Sequence, residues 1–238
     1  MTQPRPRATR EELAPPAPQV VAEHLEAVRR RIETSGRDPA QVTIVAVTKG
    51  FSHAAVAAAL AAGVTDIGEN YADELLHKAA ATSATPEGAI GARWHYLGVI
   101  QRRRVKDLAP VVDCWQTVSR VAEAEAIAGR AGAAEVMVEV ETTGLPGRNG
   151  CPPSATPELV GVLRDLGLEV RGLMAMGPPG LPELSREAFR TTARLATDLG
   201  LLELSMGMSG DLEVALEEGA TIVRVGRALF GERARRES

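Results

Sequence analysis

The amino-acid sequence predicts an α/β protein that folds as a single TIM-type (β/α)8 barrel. Eight short apolar segments of strand type recur along the chain, and most of them are followed by a helical pattern. The 238 residues come close to the roughly 250 residues of a typical eight-stranded parallel barrel. Because strands and helices alternate, the sheet should be parallel, and eight such units at this length favour a closed barrel over an open, doubly wound sheet.

The first predicted element is a helix at residues 20–34. Strands are then expected at residues 43–47, 65–67, 94–97, 111–116, 135–140, 169–173, 202–205 and 221–225. Helices are expected between them at residues 52–62, 70–81, 119–131, 157–166, 183–199 and 210–218. Glycine is common just after a helix, and four of these helices are closed by Gly63, Gly167, Gly200 and Gly219.

One domain is expected, because no linker or shift in composition marks a second one. Residues 1–18 contain five prolines among charged residues, which predicts a disordered or extended lead-in. The barrel should span residues 19–233, with a short tail at 234–238. The lead-in lacks the apolar core of a signal peptide, and no apolar run is long enough to span a bilayer. We therefore expect a cytoplasmic protein without a membrane contact.

Composition argues against nucleic acid as a partner. The formal net charge is -4 and only 3% of the residues are aromatic, so the chain offers neither a basic field nor many stacking platforms. Cys114 and Cys151 are too few for a disulfide framework and lie in no cluster with metal-ligand spacing. We expect two reduced thiols and no metal.

Lys49 follows the apolar strand predicted at 43–47, where a buried strand should end. Lysine is rarely buried unless it is paired, and a desolvated lysine loses its proton more readily. The resulting amine can attack an aldehyde and form a Schiff base. The alternative is a solvated loop lysine.

Two small-residue turns are candidates for anion binding. In barrels of this type, a phosphate often lies by the loops after strands seven and eight. Here the turns at residues 205–211 and 226–227 occupy those places, and each opens a helix whose backbone N–H groups can bind an anion. Short glycine turns without a ligand are also common.

Two further polar residues lie near the ends of predicted strands. Strand alternation puts Arg224 on the same side as Gly226. A guanidinium inside a barrel needs a partner, so Arg224 is either half of an internal ion pair or a cofactor contact. Asn70 follows the second strand and is either a helix cap or a ligand contact.

Six segments in the same order carry a resemblance to a known family. They are VAVTK ending at Lys49, IGENY around Asn70, WHYLG at 94–98 with Gln101, RGLM at 171–174, LSMGMS at 204–209, and VRVG at 223–226 with FG at 230–231. Together they resemble the pyridoxal 5'-phosphate (PLP) homeostasis protein family, relatives of the barrel domain of alanine racemase. The resemblance covers about residues 20–233.

The resemblance implies that Lys49 binds the aldehyde of PLP as a Schiff base, with Asn70 near the ring. Ser205 and Gly226 would help to hold the phosphate. Arg224 would face the pyridine nitrogen, which would leave that nitrogen unprotonated and make the ring a weaker electron sink. Met206, just past the seventh strand, is expected either to pack near the ring or to fill the core.

Several positions depart from the family pattern or have a structural interpretation. Val99 and the Arg103-Arg104 pair replace residues that many members share. Arg227 stands where a small hydroxyl residue is common, and it either replaces that phosphate contact or points to solvent. The basic run at 102–106 is interpreted as a solvated helix face, and His95 as a hydrogen-bonded structural residue.

The resemblance implies a protein that carries or buffers PLP and contributes to vitamin B6 homeostasis without turnover, with PLP-dependent apoenzymes as partners. The alternative is a PLP-dependent amino-acid racemase or decarboxylase. Racemases of this fold type carry an additional β domain and need a second acid/base group. This chain ends soon after the eighth predicted strand and has only two tyrosines, Tyr71 and Tyr96. We therefore expect no catalytic residue, and a monomer, because the family's barrel completes its own pocket.

Overall fold

The computed structural model of the protein describes residues 12–84 and 91–232. Its eight parallel strands form a closed barrel in the order of the sequence, which confirms the predicted fold. The strands are β1 (Thr43–Val47), β2 (Asp66–Glu69), β3 (Arg93–Tyr96), β4 (Cys114–Val118), β5 (Glu135–Val140), β6 (Glu169–Ala175), β7 (Glu203–Ser205) and β8 (Ile222–Val225).

Helices connect the strands and surround the barrel. Within the described residues they are α1 (Pro18–Thr34), α2 (Ala54–Ala61), α3 (Ala72–Ser83), α4 (Arg102–Leu108), α5 (Val121–Ala131), α6 (Thr156–Asp165), α7 (Arg186–Asp198), α8 (Leu212–Glu217) and α9 (Arg227–Phe230). Short 3-10 turns occur at Pro39–Gln41, Pro153–Ala155 and Pro182–Ser185. In this part of the chain no helix combines the length and the hydropathy that a membrane crossing requires.

Two predicted starts differ from the structure by three residues, each for a local reason. The fourth strand was expected to begin at residue 111, but the N–H groups of Val111 and Val112 both bind the carbonyl of Leu108 at 2.9 Å and complete the turn after α4. The helix expected from residue 183 begins at Arg186, because Pro182 opens the 3-10 turn that precedes it. Apolar composition alone does not separate a helix end from a strand start.

The core has two parts, on the two sides of the sheet. The larger one, called here the shell, lies between the strands and the helices and includes Val21, Ile67 and Leu163. A small interior cluster fills the barrel with Val45, Cys114, Met137, Met174 and Ile222. Alternate residues of a strand face opposite sides, and β1, β4, β5, β6 and β8 contribute to both parts.

The N-terminal segment is attached to the loop that follows β1. The backbone N–H of Leu13 donates to the carbonyl of Gly50 at 3.0 Å, and Ser52 donates back to Leu13 at 2.8 Å. Residues 12–17 of the expected lead-in are extended, and these backbone bonds attach the segment at Leu13. Residues 1–11, residue 233 and the predicted tail at 234–238 lie outside the described residues.

Candidate functional site

A cavity of about 610 Å³ opens at the carboxyl ends of the strands. Its wall is built by the segments that follow β1, β2, β3, β6, β7 and β8. Small-molecule sites usually measure roughly 300–1,000 Å³, and parallel barrels place them at this face. Polar groups in the wall include those of Lys49, Asn70, Ser209, Gly210, Arg224 and Gly226.

Lys49 lies two residues beyond β1 and lines the cavity with a half-buried side chain. Both peptide groups beside it are held from behind the sheet. The ammonium of Lys78 donates to the carbonyl of Thr48 at 2.9 Å, and the N–H of Gly50 donates to Glu74 Oε2 at 2.8 Å. The backbone that carries Lys49 is thereby fixed on both sides.

These contacts belong to a buried ionic network between the sheet and α3. Lys78 Nζ lies 2.5 Å from Glu69 Oε1, and the hydroxyl of Thr48 donates to the same oxygen at 2.6 Å. Burial raises the pKa of Glu69, while Lys78 and Thr48 oppose the shift. Sequence reasoning did not identify Lys78, although its position four residues after Glu74 on α3 is the spacing of a helical ion pair.

Asn70 comes directly after β2 and brings its amide to the cavity. Its Nδ2 donates to the carbonyl of Leu97 at 3.1 Å. Its Oδ1 is buried and accepts no hydrogen bond from the described residues. A buried acceptor without a donor is costly, so this atom is a candidate contact for a ligand N–H or O–H group.

Arg224 points from β8 into the barrel and forms part of the cavity floor. Its Nη1 donates to the carbonyl of Ser205 at 2.6 Å and to the Ser205 hydroxyl at 2.7 Å, and its Nη2 donates to the carbonyl of Ala175 at 3.0 Å. Burial lowers the pKa of Arg224 to about 10, against the opposing charges of Glu139 and Asp211. Its hydrogen bonds within the described chain go to a hydroxyl and to backbone carbonyls, which distinguishes it from half of an ion pair.

Ser205, for which the resemblance implied a phosphate contact, and Met206, expected either near the ring or in the core, do not line the cavity. Ser205 is fully buried beneath Arg224, where its hydroxyl donates to Gln116 Oε1 at 2.7 Å. Met206 is also fully buried and packs in the shell. Two successive residues at a strand end face opposite sides, so one lies under the floor and the other outside the barrel.

The two turns predicted to bind an anion border the same side of the cavity. Ser209 and Gly210 come from the turn after β7, and Gly226 and Arg227 from the turn after β8. The N–H of Ala228 donates to the Ser209 hydroxyl at 3.1 Å, which joins the turns. The Arg227 side chain is 57% exposed and lies 3.4 Å from Glu232. It borders the cavity while remaining largely in solvent.

The turn after β7 is held by a carboxylate that sequence reasoning overlooked. Asp211 Oδ1 accepts the N–H of Met208 at 2.7 Å, and Asp211 Oδ2 accepts the hydroxyl of Ser185 at 3.0 Å. Asp211 was noted only as part of a small-residue turn, and Ser185 lies in a connection more than twenty residues earlier. No local pattern marks such a distant partner.

The groups suited to acid/base or nucleophilic chemistry lie mostly elsewhere. Tyr71, Tyr96 and the four histidines are absent from the cavity wall formed by residues 12–84 and 91–232. Cys114 is buried in the barrel interior, and burial raises its thiol pKa to about 12. Three or more His, Cys, Asp or Glu side chains do not converge as a metal site within those residues.

A lysine at the end of β1, an arginine inside β8 and two anion-suited turns after β7 and β8 define a recognisable class of barrel. The family model of the alanine racemase N-terminal domain matches residues 22–234. Fold and site thus place the chain in this class of α/β barrels.

Closer relatives narrow the class. The chain is 38% identical over 225 residues to the pyridoxal phosphate homeostasis protein of Pseudomonas aeruginosa, covering 90% of this chain and 96% of the relative. It is 40% identical over 210 residues to the protein of the same name from Deinococcus radiodurans, covering 87% and 97%. The chain belongs to the pyridoxal phosphate homeostasis protein family.

Solved structures agree with this assignment. PipY of Synechococcus elongatus, determined with PLP bound, is 32% identical, with a TM-score of 0.76 over 89% of this chain and 100% of PipY. A viral arginine decarboxylase from Paramecium bursaria Chlorella virus, at 15% identity and a TM-score of 0.69, shares the fold over 89% of this chain and 63% of its own. At that identity the likeness concerns the fold alone.

Proposed function

We propose that this protein binds PLP through a Schiff base on Lys49 and buffers or carries the cofactor in vitamin B6 homeostasis, without catalytic turnover. The observation that carries the proposal is the position of Lys49 in the same cavity wall as two turns suited to bind a phosphate. Membership of the homeostasis protein family and the PLP-bound PipY structure support it independently.

The residues present fit PLP. The phosphate would be bound by the turns at Ser209-Gly210 and Gly226-Arg227, where backbone N–H groups suit an anion. Gly226 matters sterically, because an added Cβ would lie 3.1 Å from the carbonyl oxygen of Val47. The unpartnered Asn70 Oδ1 offers an acceptor beside the ring.

The covalent step involves Lys49 alone among the lysines. Its neutral amine attacks the aldehyde carbon, a carbon–nitrogen double bond forms, and the aldehyde oxygen leaves as water. The step consumes no oxidant and is reversed by water, which suits storage and release. The hydrogen bonds at Thr48 and Gly50 fix the backbone from which the amine extends, for both directions of the step.

Two features support binding without turnover. Bound PLP supplies an electron sink for carbanions, and a racemase needs acid/base groups on both faces of its substrate. Among the described residues, the wall has two carboxylates, those of Asp211 and Glu232. Within that part of the chain it includes neither a tyrosine nor a histidine. Asp211 is occupied in holding the β7 turn.

The protein would act as a cytoplasmic monomer that donates PLP to apoenzymes. Leu181 and Leu184, on the connection after β6, are 74% and 56% exposed. This connection also supplies part of the cavity wall, so the mouth is open to solvent on that side. An open mouth is consistent with exchange of the cofactor with other proteins.

The test exploits the scarcity of lysine. The chain has three lysines, Lys49, Lys78 and Lys106. Lys78 is fully buried in its ionic network, and Lys106 is exposed on α4. Purified protein is incubated with PLP, its visible spectrum is recorded, and the complex is reduced with borohydride before peptide mass spectrometry.

The expected result is a visible band and a reduced adduct on Lys49, both abolished in Lys49→Ala and retained in the matched control Lys106→Ala. An adduct confined to Lys106 or to the N-terminal amine would overturn the assignment. A colourless protein that does not take up PLP would overturn the proposed function itself.

Carriage and catalysis are then separated with the loaded protein. Transfer of PLP to an apoenzyme, with no conversion of a panel of amino acids, supports the carrier. Racemisation or decarboxylation that Lys49→Ala abolishes would contradict it and indicate an enzyme.

A further inference from the structure

A continuous chain of hydrogen bonds crosses the barrel interior and ends at Arg224. Asp66 Oδ1 lies 2.8 Å from His95 Nε2, and His95 Nδ1 lies 2.7 Å from Gln116 Nε2. Gln116 Oε1 accepts from the Ser205 hydroxyl at 2.7 Å, and that hydroxyl accepts from Arg224 Nη1 at 2.7 Å. The chain thus links β2, β3, β4, β7 and β8, and its three middle side chains are fully buried.

The two ends and the orientation of the Gln116 amide together fix the direction of every bond. A guanidinium only donates and a carboxylate only accepts. Because Ser205 accepts from Arg224, its single proton goes to Gln116 Oε1. The Gln116 amide then turns its NH2 group toward His95 Nδ1, so the ring proton lies on Nε2 and is donated to Asp66. All four links are satisfied without a clash of donors or acceptors.

The chain also connects the two faces of the barrel. Asp66 opens β2 at the amino-terminal face, where its side chain is 20% exposed and lies 3.4 Å from Arg93. Arg224 lies at the cavity floor. Coupled hydrogen bonds in a dry interior polarise one another, so they hold a single arrangement more firmly than isolated bonds do.

We infer that His95, Gln116 and Ser205, anchored by Asp66, are positioning residues that set the orientation of the Arg224 guanidinium toward the bound ligand. Three of the five N–H donors of Arg224 are used below the floor, two of them by Nη1 and one by Nη2. The remaining two N–H groups, one on Nη2 and one on Nε, are thereby left as a pair that can donate to the ligand. This inference rests on the proposed function, since the ligand is taken to be PLP.

A chain of this kind has a consequence that ordinary packing lacks. Removing Gln116 leaves the Ser205 proton without its acceptor, so the hydroxyl reorients and Arg224 loses a fixed partner. A substitution at Gln116 should therefore change the affinity and spectrum of PLP only through its effect on Arg224. Gln116 itself lies outside the cavity wall.

The experiment is a double-mutant cycle of Gln116→Leu with Arg224→Met, and Met137→Leu, fully buried in the barrel interior, is the matched control. PLP affinity is measured by absorbance titration, together with the wavelength of the bound band and the melting temperature without PLP. Gln116→Leu should weaken PLP binding about tenfold, a change of ~1.4 kcal/mol, and shift the band. In the Arg224→Met background it should change neither, and Met137→Leu should leave both at wild-type values.

Equal losses in the two backgrounds, or wild-type affinity and spectrum in Gln116→Leu, would overturn the inference. If Gln116→Leu does not fold, Ser205→Ala enters the same cycle and is judged by the same criterion. Failure of the proposed function is separate, because it appears in the Lys49→Ala comparison.

Discussion

Lys49 and Arg224 reach the same cavity but are held by opposite sides of the sheet. The peptides beside Lys49 are fixed from outside, by the ionic network of Lys78, Glu69 and Glu74. Arg224 is fixed from inside, by the hydrogen-bond chain that runs from Asp66 to Ser205 and by backbone carbonyls. The contacts of the first group fix the backbone beside the lysine, whereas those of the second fix the arginine side chain itself.

Gly98 is a position where a small substitution should have a large effect on the cavity. An added Cβ would overlap the carbonyl oxygen of Asn70, which is backbone and has no room to yield. We expect Gly98→Ala to lower the free energy of unfolding by about 1–3 kcal/mol, as overpacking does. We also expect it to weaken PLP binding at least tenfold, because Asn70 moves. Urea unfolding and absorbance titration measure the two effects.

The matched control is Gly129→Ala on α5, where an added Cβ meets nothing within 4 Å. A glycine in a helix interior is less stable than alanine by roughly 0.5–1 kcal/mol, so this change should stabilise the protein and leave PLP binding intact. Wild-type affinity in Gly98→Ala would show that the position of Asn70 is unimportant to the ligand.

The cavity residues near strand ends could be predicted because parallel barrels place their sites at the carboxyl ends of the strands. Lys49, Asn70, Arg224 and Gly226 all line the cavity, as their positions after or within predicted strands suggested. Their roles toward PLP stay proposals. Ser205 was assigned to the wall by resemblance, and its burial under Arg224 depends on a strand end at Ser205 and on a partner, Gln116, 89 positions away.

At the scale of the element, α3 acts as a clamp for the loop after β1. The helix carries Lys78 and Glu74, which bind the two peptide groups beside Lys49. Lys78 is fully buried and also pairs with Glu69. Removing one partner of a buried ion pair leaves an uncompensated charge, which is costly.

We therefore expect Lys78→Met to lower the free energy of unfolding by about 3–5 kcal/mol, measured by urea denaturation. The double variant Lys78→Met, Glu69→Gln should regain much of the loss, because the stranded carboxylate is removed as well. Lys106→Met, on the exposed face of α4, should change stability by less than about 0.5 kcal/mol. A Lys78→Met protein as stable as the wild type would contradict the clamp.

The sequence predicted which strands exist more reliably than where each strand begins. The eight strands were all anticipated, because short apolar runs between turns are the main signal of a parallel sheet. The start of β4 was misplaced because Val111 and Val112, although apolar, belong to the turn that ends α4. An apolar residue indicates burial, but both a strand and a helix end can be buried, so apolar character alone does not distinguish them.

At the scale of the molecule, acid should loosen the contacts between neighbouring helices. Hydrogen bonds from Arg31 lower the pKa of Glu213, and those from Arg190 and Arg186 lower the pKa of Glu218. A carboxyl whose folded pKa is lowered stabilises the fold above its unfolded value of about 4.3, and this stabilisation is lost as the pH falls through the folded pKa. The two pairs join α8 and its end to α1 and α7.

We expect Glu213→Gln, Glu218→Gln to be less stable than the wild type at pH 7, by about 1 kcal/mol because the pairs are partly exposed. The difference should shrink as the pH falls below the unfolded value of about 4.3 and through the lowered folded pKa, since protonated carboxyls no longer form these ion pairs. Melting curves from pH 7 to pH 2.5 measure it, with the exposed Glu125→Gln as control. A difference that persists undiminished at pH 2.5 would show that packing, not charge, is responsible.

Closure of the barrel also determines when the cavity can form during synthesis of the chain. The strand that precedes Lys49 pairs with β8, Thr43 opposite Ile222 and Ala46 opposite Val225, so the two ends of the barrel sequence meet at the cavity. Translation proceeds at ~5–20 residues/s, and pairing between distant segments is slow. Lys49 therefore leaves the ribosome many seconds before the turn at Gly226 exists. On the proposed function, the lysine and the phosphate-binding turn at Gly226 therefore come together only after β8 has been made and has paired with β1.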